Sequence, residues 1–250
     1  MNASDITVVI PAFNEATTIR RIVIEALDQV EQVVVVDDGS SDGTSSVLTD
    51  LNVTVLRHMQ NRGKAASLQY GFQYALQQGC KAVITLDGDG QHEPKEIAKL
   101  IKKATDNPGY IVIAARLINR EATPPLRLFG NKFGDFWLSW ACGYPIIDSQ
   151  SGFRLYPTAL LEQTKLADSK ERSFVFESEI LIEAAKKCFY SVRVPIESIY
   201  HSGRRASHFR LYQDTRNIVW MITWQLIKRW LYLPGLLQAI GLLPDPRNRS

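Results

Sequence analysis

Asp87 and Asp89 stand one residue apart in the stretch VITLDGDGQHEP (83–94), with glycine at 88 and 90 and the amide side chain of Gln91 two positions further on. Two ionised carboxylates so placed repel one another unless a cation or hydrogen bonds offset the charge. A hard divalent ion such as Mg²⁺ or Mn²⁺ suits the spot, because it takes a few carboxylates and leaves positions for water or phosphate oxygen. Asp87, Asp89 and Gln91, at alternate positions, are the candidate ligands. A calcium EF-hand loop would need glycine at its sixth position and glutamate at its twelfth, where this chain has His92 and Ala98. A Walker phosphate loop fails as well, since NRGKAAS carries Gly63 and Lys64 without the earlier glycine or a hydroxyl directly after the lysine. A structural aspartate pair in a tight turn is the remaining alternative.

The elements that must hold these residues are short apolar runs. ITVVI (6–10), VVVV (33–36), VTVL (53–56), AVITL (82–86) and YIVIAA (110–115) read as strands covered on both faces. Helical spacing appears between them, in Leu68, Phe72, Ala75 and Leu76 before Gly79, and in Ile97, Leu100, Ile101 and Ala104 after Pro94. Such a βαβ series predicts an α/β fold with a mostly parallel sheet and right-handed crossovers. PAFNE (11–15), DDGSSDGT (37–44), DGDGQ (87–91) and Arg116 then all fall at carboxyl ends of strands, where open α/β sheets bind ligands. Four separate polar motifs are expected to share one crevice.

Composition sets the bounds. The 250 residues are 45% hydrophobic, enough for a substantial core. A net charge of +3 is too small to argue for nucleic acid. Cys80, Cys142 and Cys188 are odd in number and far apart, which fits reduced thiols better than a disulfide framework. MNASDITVVIPAFNE lacks the basic start and long apolar stretch of a signal peptide, so a cytoplasmic setting is expected.

After about residue 117 the pattern changes. Phe129, Phe133, Phe136, Trp137 and Trp140 recur at helical spacing and are read as a core stripe. DSQSGFRLY (148–156) reads as a turn-rich loop, FVFESEILIEAAKKC as a helix and YSVRVPI as a strand. IVWMITWQLIKRWLYLPGLLQAIGLLP is rich in Trp, Leu and Ile but is broken by Lys228, Arg229, Pro234 and Gly235, short of the roughly 18 apolar residues a membrane span needs. Two readings stay open for it: a pair of helices in a membrane interface, and helices packed on the rest of the protein.

Taken together, VVIPAFNE, VVVVDDGSSDGT, NRGKAASLQYG, LDGDGQHEP, AAR and DSQSGFRLY resemble glycosyltransferase family 2, and more closely its dolichyl- or polyprenyl-phosphate sugar transferase branch. The resemblance covers about residues 6–210. It implies a GT-A fold over 1–210; 211–250, beyond the resemblance, is expected from its own residues to be an amphipathic, membrane-interfacial segment. It implies an inverting, metal-dependent hexosyltransferase using a UDP- or GDP-sugar. Pro11, Phe13, Glu15, Asp37, Asp38 and Lys64 would line the donor pocket with Asp87, Gly88 and Arg116. Asp87, Asp89 and Gln91 would hold Mg²⁺ or Mn²⁺, and Asp89 and Arg116 would act on the leaving diphosphate.

The acceptor is read from departures. FVFESE has Glu177 and Glu179 where hydroxyl-using members carry a Glu-Asp motif, and QLIKRW is one residue too long for the QxxRW of processive synthases. A lipid phosphate needs no strong base, since its second pKa is about 6, but it does need cations. Arg204 and Arg205 in YHSGRRASHFR, with Arg127 and Lys132 beside the aromatic helix, are the candidates. The expected partners are thus a nucleotide sugar, a polyprenyl or dolichyl phosphate and a membrane surface, with no nucleic acid. The alternatives are a soluble hydroxyl acceptor with Glu177 as base, and a membrane-bound nucleotide-sugar-binding module without turnover.

Overall fold

The structure, a computed structural model, describes residues 1–118, 125–164, 175–197 and 211–248; the side chains of 125–127, 129 and 211–216 are outside the description. Among the described residues seven strands form one sheet in the order β3-β2-β1-β4-β6-β5-β7. They are β1 Ile6–Ala12, β2 Gln32–Asp37, β3 Thr54–Arg57, β4 Ala82–Thr85, β5 Ile111–Ile118, β6 Arg154–Pro157 and β7 Ser191–Glu197. All pairings are parallel except those of β6, which runs antiparallel between β4 and β5. Six of the strands lie where the apolar runs place them. The seventh corrects the reading of 148–156 as loop: its last residues enter the sheet through the register Ile84↔Leu155 and Val112↔Leu155. A four-residue strand that begins with arginine has no period long enough to read.

Both faces of the sheet are covered, as continuous apolar strands require. Val9, Val34, Val36 and Val83 face one layer, with α2 (Lys64–Gln77), α4 (Pro125–Cys142), α6 (Phe176–Lys186) and α7 (Leu211–Lys228). Val8, Ile10, Val35 and Ile84 face the other, with α1 (Ile19–Leu27) and α3 (Ile97–Asp106). A short α5 (Thr158–Gln163) follows β6. α2 lies so close to β1 that a Cβ at Gly71 would come within 2.3 Å of Val9 Cγ1, a contact only glycine allows.

α4 departs from the core-stripe reading. Among its described side chains the buried ones are Leu138, Ser139, Ala141 and Cys142, whereas Phe133 and Phe136 are exposed and Trp137 and Trp140 half-buried; Phe129 is outside the description. Aromatic rings at helical spacing report a face; they do not say whether anything covers it. α7 buries Ile218, Ile222 and Leu226 against the same core, and α8 (Leu233–Ala239) lies on α4. Among the described residues no helix is long and apolar enough to cross a membrane.

Candidate active site

The polar motifs meet at the carboxyl edge of the sheet. β1 and β2 end level, with Ala12 opposite Asp37, and Asp38 N–H donates to the Ala12 carbonyl. Pro11 closes β1, and Phe13 and Glu15 follow it, all three half-buried. Asp37 and Asp38 are fully engaged. Asp37 accepts from the Ser40 amide and the Ser45 hydroxyl. Asp38 accepts from the Arg62 amide at 2.8 Å, the Gly63 amide at 2.7 Å and His58 Nδ1 at 2.7 Å. Those backbone bonds fix the loop that begins α2, and so fix Lys64, the first residue of that helix. On the other side, Thr18 Oγ donates to the Gly88 carbonyl, tying the β1 loop to the DGDG turn.

Lys64 carries the central contact. Its ammonium lies 2.5 Å from Asp87 Oδ1 and 2.7 Å from Glu177 Oε1, joining α2, the end of β4 and the first turn of α6. Burial alone would lower the lysine pKa, but the two carboxylates outweigh it and raise it above the ordinary range. Burial would likewise raise Asp87, and the charge of Lys64 outweighs it and holds the carboxyl below its usual value. Gly152 closes over the triad: a Cβ there would fall 2.6 Å from Asp87 Oδ2, 2.8 Å from Glu177 Oε1 and 2.9 Å from Lys64 Nζ.

Asp89 is two residues along, its Oδ1 accepting the Gln91 amide at 2.9 Å, with both side chains half-buried. His92 behind them is buried against Phe153, and burial pushes its imidazole down to about 4, so it is neutral near pH 7. In the loop beyond β4, Asp87, whose Oδ1 meets Lys64, and Asp89 offer hard carboxylate oxygens, and Gln91 an amide oxygen. That donor set fits Mg²⁺ or Mn²⁺ completed by phosphate oxygens. Among the described residues no cluster of three or more His, Cys, Asp or Glu stands together.

Arg116, on β5, is held by a residue that the motif reading did not single out. Asp148 accepts from its Nε at 2.9 Å, its Nη2 at 2.7 Å and its backbone amide at 2.7 Å. Burial would raise Asp148; the guanidinium beside it prevails and keeps the carboxyl low. Asp148 is itself posted at φ +56, a conformation asparagine and aspartate tolerate best. Asp135 of α4 pins it there, accepting the amides of Asp148 and Ser149. Arg154, fully buried, laces the rest of the loop by donating to the carbonyls of Ser149, Ser151 and Glu177. Polar residues packed as densely as in DSQSGFR were the available signal for this support. Of the acceptor candidates, Lys132 is exposed on α4, the Arg127 side chain is outside the description, and Arg204 and Arg205 are outside the described residues.

Residues 7–163, which hold every one of these strand-end motifs up to Gly152, match the model of the family described as Glycosyl transferase family 2. The chain belongs to that family. As a family 2 glycosyltransferase it is 30% identical over 219 residues to the UDP-N-acetylglucosamine–dolichyl-phosphate N-acetylglucosaminyltransferase of Methanococcus voltae, covering 78% of this chain and 86% of that one. It is 29% identical over 200 residues to the polyprenol monophosphomannose synthase of Mycolicibacterium smegmatis, covering 76% and 75%. In fold it is similar to glucosyl-3-phosphoglycerate synthase of Mycobacterium tuberculosis in complex with Mn²⁺, UDP-glucose and phosphoglyceric acid, with a TM-score of 0.65, 20% identity, and 96% and 81% of the two chains covered. The GT-A expectation holds, including its mostly parallel sheet.

Proposed function

We propose that this glycosyltransferase moves a hexose from a nucleoside-diphosphate sugar to a polyprenyl or dolichyl phosphate, at the cytoplasmic face of a membrane and with inversion at the anomeric carbon. The observation that carries the acceptor reading is the state of Glu177. The carboxylate nearest the role of general base is already engaged by the Lys64 ammonium at 2.7 Å. A hydroxyl acceptor needs a base to take its proton, whereas a phosphate monoester brings its own anionic oxygen at neutral pH. The names of the similar enzymes, a dolichyl-phosphate N-acetylglucosaminyltransferase in Methanococcus and a polyprenol monophosphomannose synthase in Mycolicibacterium, point the same way.

The residues divide the work as follows. Pro11, Phe13, Glu15, Asp37 and Asp38 shape the nucleoside end of the donor pocket, and Lys64, Gly88 and Arg116 face its diphosphate. Asp87, Asp89 and Gln91 would hold Mg²⁺ or Mn²⁺, which offsets the charge developing on the leaving diphosphate. An acceptor phosphate oxygen forms the bond to the anomeric carbon as the bond to the diphosphate oxygen breaks, with the nucleoside diphosphate leaving. Arg127, Lys132, Arg204 and Arg205 supply cations for the acceptor phosphate, the arginines gripping it in a bidentate manner that lysine does not match.

A screen of UDP- and GDP-sugars against short polyprenyl phosphates, with the extracted lipid identified by mass, tests the reading. Expected is a glycosyl phosphate lipid formed with Mg²⁺ or Mn²⁺ and lost on chelation. Arg204→Ala with Arg205→Ala should weaken use of the lipid while donor binding persists. A soluble glycan hydroxyl proving the better acceptor would overturn it and return Glu177 to the role of base.

A further inference from the structure

All five tryptophans of the chain, at 137, 140, 220, 224 and 230, lie on α4, α7 and the turn between α7 and α8. α7 has two faces. Ile218, Ile222 and Leu226 are buried against α4 and the core, while Trp220, Trp224 and Ile227 project outward at 68, 49 and 53% exposure. On α4 Phe133 and Phe136 are exposed too, and Phe136 packs beside Trp140, which bonds to the turn beyond α7. A water-facing helix does not ordinarily expose a tryptophan every turn, and such a patch marks an interaction surface.

The turn beyond α7 is more exposed still at Trp230. Trp230 is 94% exposed and Leu231 57%, and Trp230, Leu231 and Tyr232 all have positive φ, at 52, 59 and 32°. Three successive non-glycine residues in the left-handed region cost free energy and persist only where the surroundings impose them. The surroundings here are specific. Trp140 Nε1 donates to the carbonyls of Leu231 and Tyr232, Arg229 donates to the Ala141 carbonyl, and its guanidinium stacks 3.5 Å over the Tyr232 ring. Tyr232 in turn sits so tightly on Gly143 and Gly235 that a Cβ at either would lie within 2.9 Å of its ring or hydroxyl. The turn is therefore braced from α4, and what the bracing accomplishes is to hold two large apolar side chains out in water.

The charge pattern selects the occupant. From Asn217 to Pro244 the chain has no carboxylate and two cations, of which Arg229 is turned onto Ala141 and Tyr232 while Lys228 is exposed. Lys228 lies 5.3 Å over the Trp224 ring, and Lys132 is exposed beside Phe133. Tryptophans beside cations on an amphipathic face, without acids, suit an anionic lipid interface, where rings sit at headgroup depth and cations meet phosphates.

We propose that this flank is a membrane-docking face, with the Trp230–Leu231 turn inserted as a wedge and the exposed row of α7 lying in the interface of an anionic bilayer. It names the partner surface of the lipid-phosphate reading and rests on that reading for its purpose. α4 links the two: Phe136 is on the docking face, and Asp135 beside it holds the Asp148 loop that grips Arg116.

The test uses the full chain without donor or metal, and vesicles of phosphatidylcholine alone or with about a third phosphatidylglycerol, free of polyprenyl phosphate. The protein should sediment with the anionic vesicles, its tryptophan emission should shift to the blue, and brominated lipid should quench it. Trp220→Gln with Trp230→Gln should weaken partition by about 10-fold or more, with unchanged thermal unfolding and unchanged turnover on a short polyprenyl phosphate in detergent. Absence of partition or of quenching in the parent, or a blue shift that accompanies self-association without lipid, overturns the docking face. Parent protein that binds these vesicles yet makes no glycosyl phosphate lipid in the separate donor screen leaves the face standing and sinks the lipid-phosphate reading instead.

Discussion

Gly152 and Asp148 each hold part of the site in a way one substitution exposes. Gly152→Ala places a methyl against three side-chain tips, Asp87 Oδ2, Glu177 Oε1 and Lys64 Nζ, all within 2.9 Å. Tips of flexible chains can move, so the variant is expected to fold with a melting temperature within a few degrees of the parent. The ion triad cannot survive the methyl in place, so donor binding, measured by titration calorimetry with the nucleoside diphosphate, should weaken by about 10-fold or more. Asp148→Asn is the complementary test. Asparagine tolerates φ +56, so the backbone stays, but its amide cannot accept three N–H groups from Arg116. A lost charged hydrogen bond is worth about 1.5–3 kcal/mol, and kcat/KM should fall by about 10- to 100-fold. The pair also has a pH signature. Because Asp148 is depressed below its unfolded value, its stabilisation is present above about pH 3.9 and is lost as pH falls through the lower folded value. Acid unfolding of the asparagine variant should therefore lack part of the parent's steepness below about pH 4.

At the scale of elements, the short antiparallel strand β6 decides how the two halves of the site meet. It separates β4, which leads into Asp87, from β5, which carries Arg116, and its preceding loop delivers Asp148 and Gly152 to both. Arg154 anchors that loop from inside the core. Arg154→Leu leaves the carbonyls of Ser149, Ser151 and Glu177 without their donor. At about 1–3 kcal/mol for each buried polar group left unpaired, the variant should lose about 3 kcal/mol or more in urea unfolding. The apolar runs and their polar ends were legible because period and length identify a doubly covered strand. β6 was not: four residues led by an arginine, following a run of turn formers, read as loop. The role of Asp148 was illegible for a related reason, since its partner Arg116 is 32 positions away and only the fold brings them together. The exposed rings of α4 were misread because periodicity gives a face and says nothing of its covering.

Whole-molecule packing sets the terms for the C-terminal helices. Sequence left two readings open, and α7 carries features of both: an inner row in the core and an outer row of tryptophans in water. A truncation near residue 210, the obvious way to ask whether these helices serve only the membrane, removes the inner row with the outer. Burying Ile218, Ile222 and Leu226 is worth roughly 1.5–3 kcal/mol apiece. Their loss, and the exposure of Leu138 and Ala141 beneath them, takes about 5 kcal/mol or more from a fold whose total stability is about 5–15 kcal/mol. The truncated chain is therefore expected to aggregate or to unfold at a much lower urea concentration, and to lose turnover on soluble and membrane acceptors alike. Substitutions confined to the outer row should spare the urea midpoint and the soluble reaction while reducing only the reaction on vesicles. A truncated chain that unfolds at the parent's midpoint would show that α7 is an appendage to an independent transferase domain, and that the inner row contributes nothing to its core.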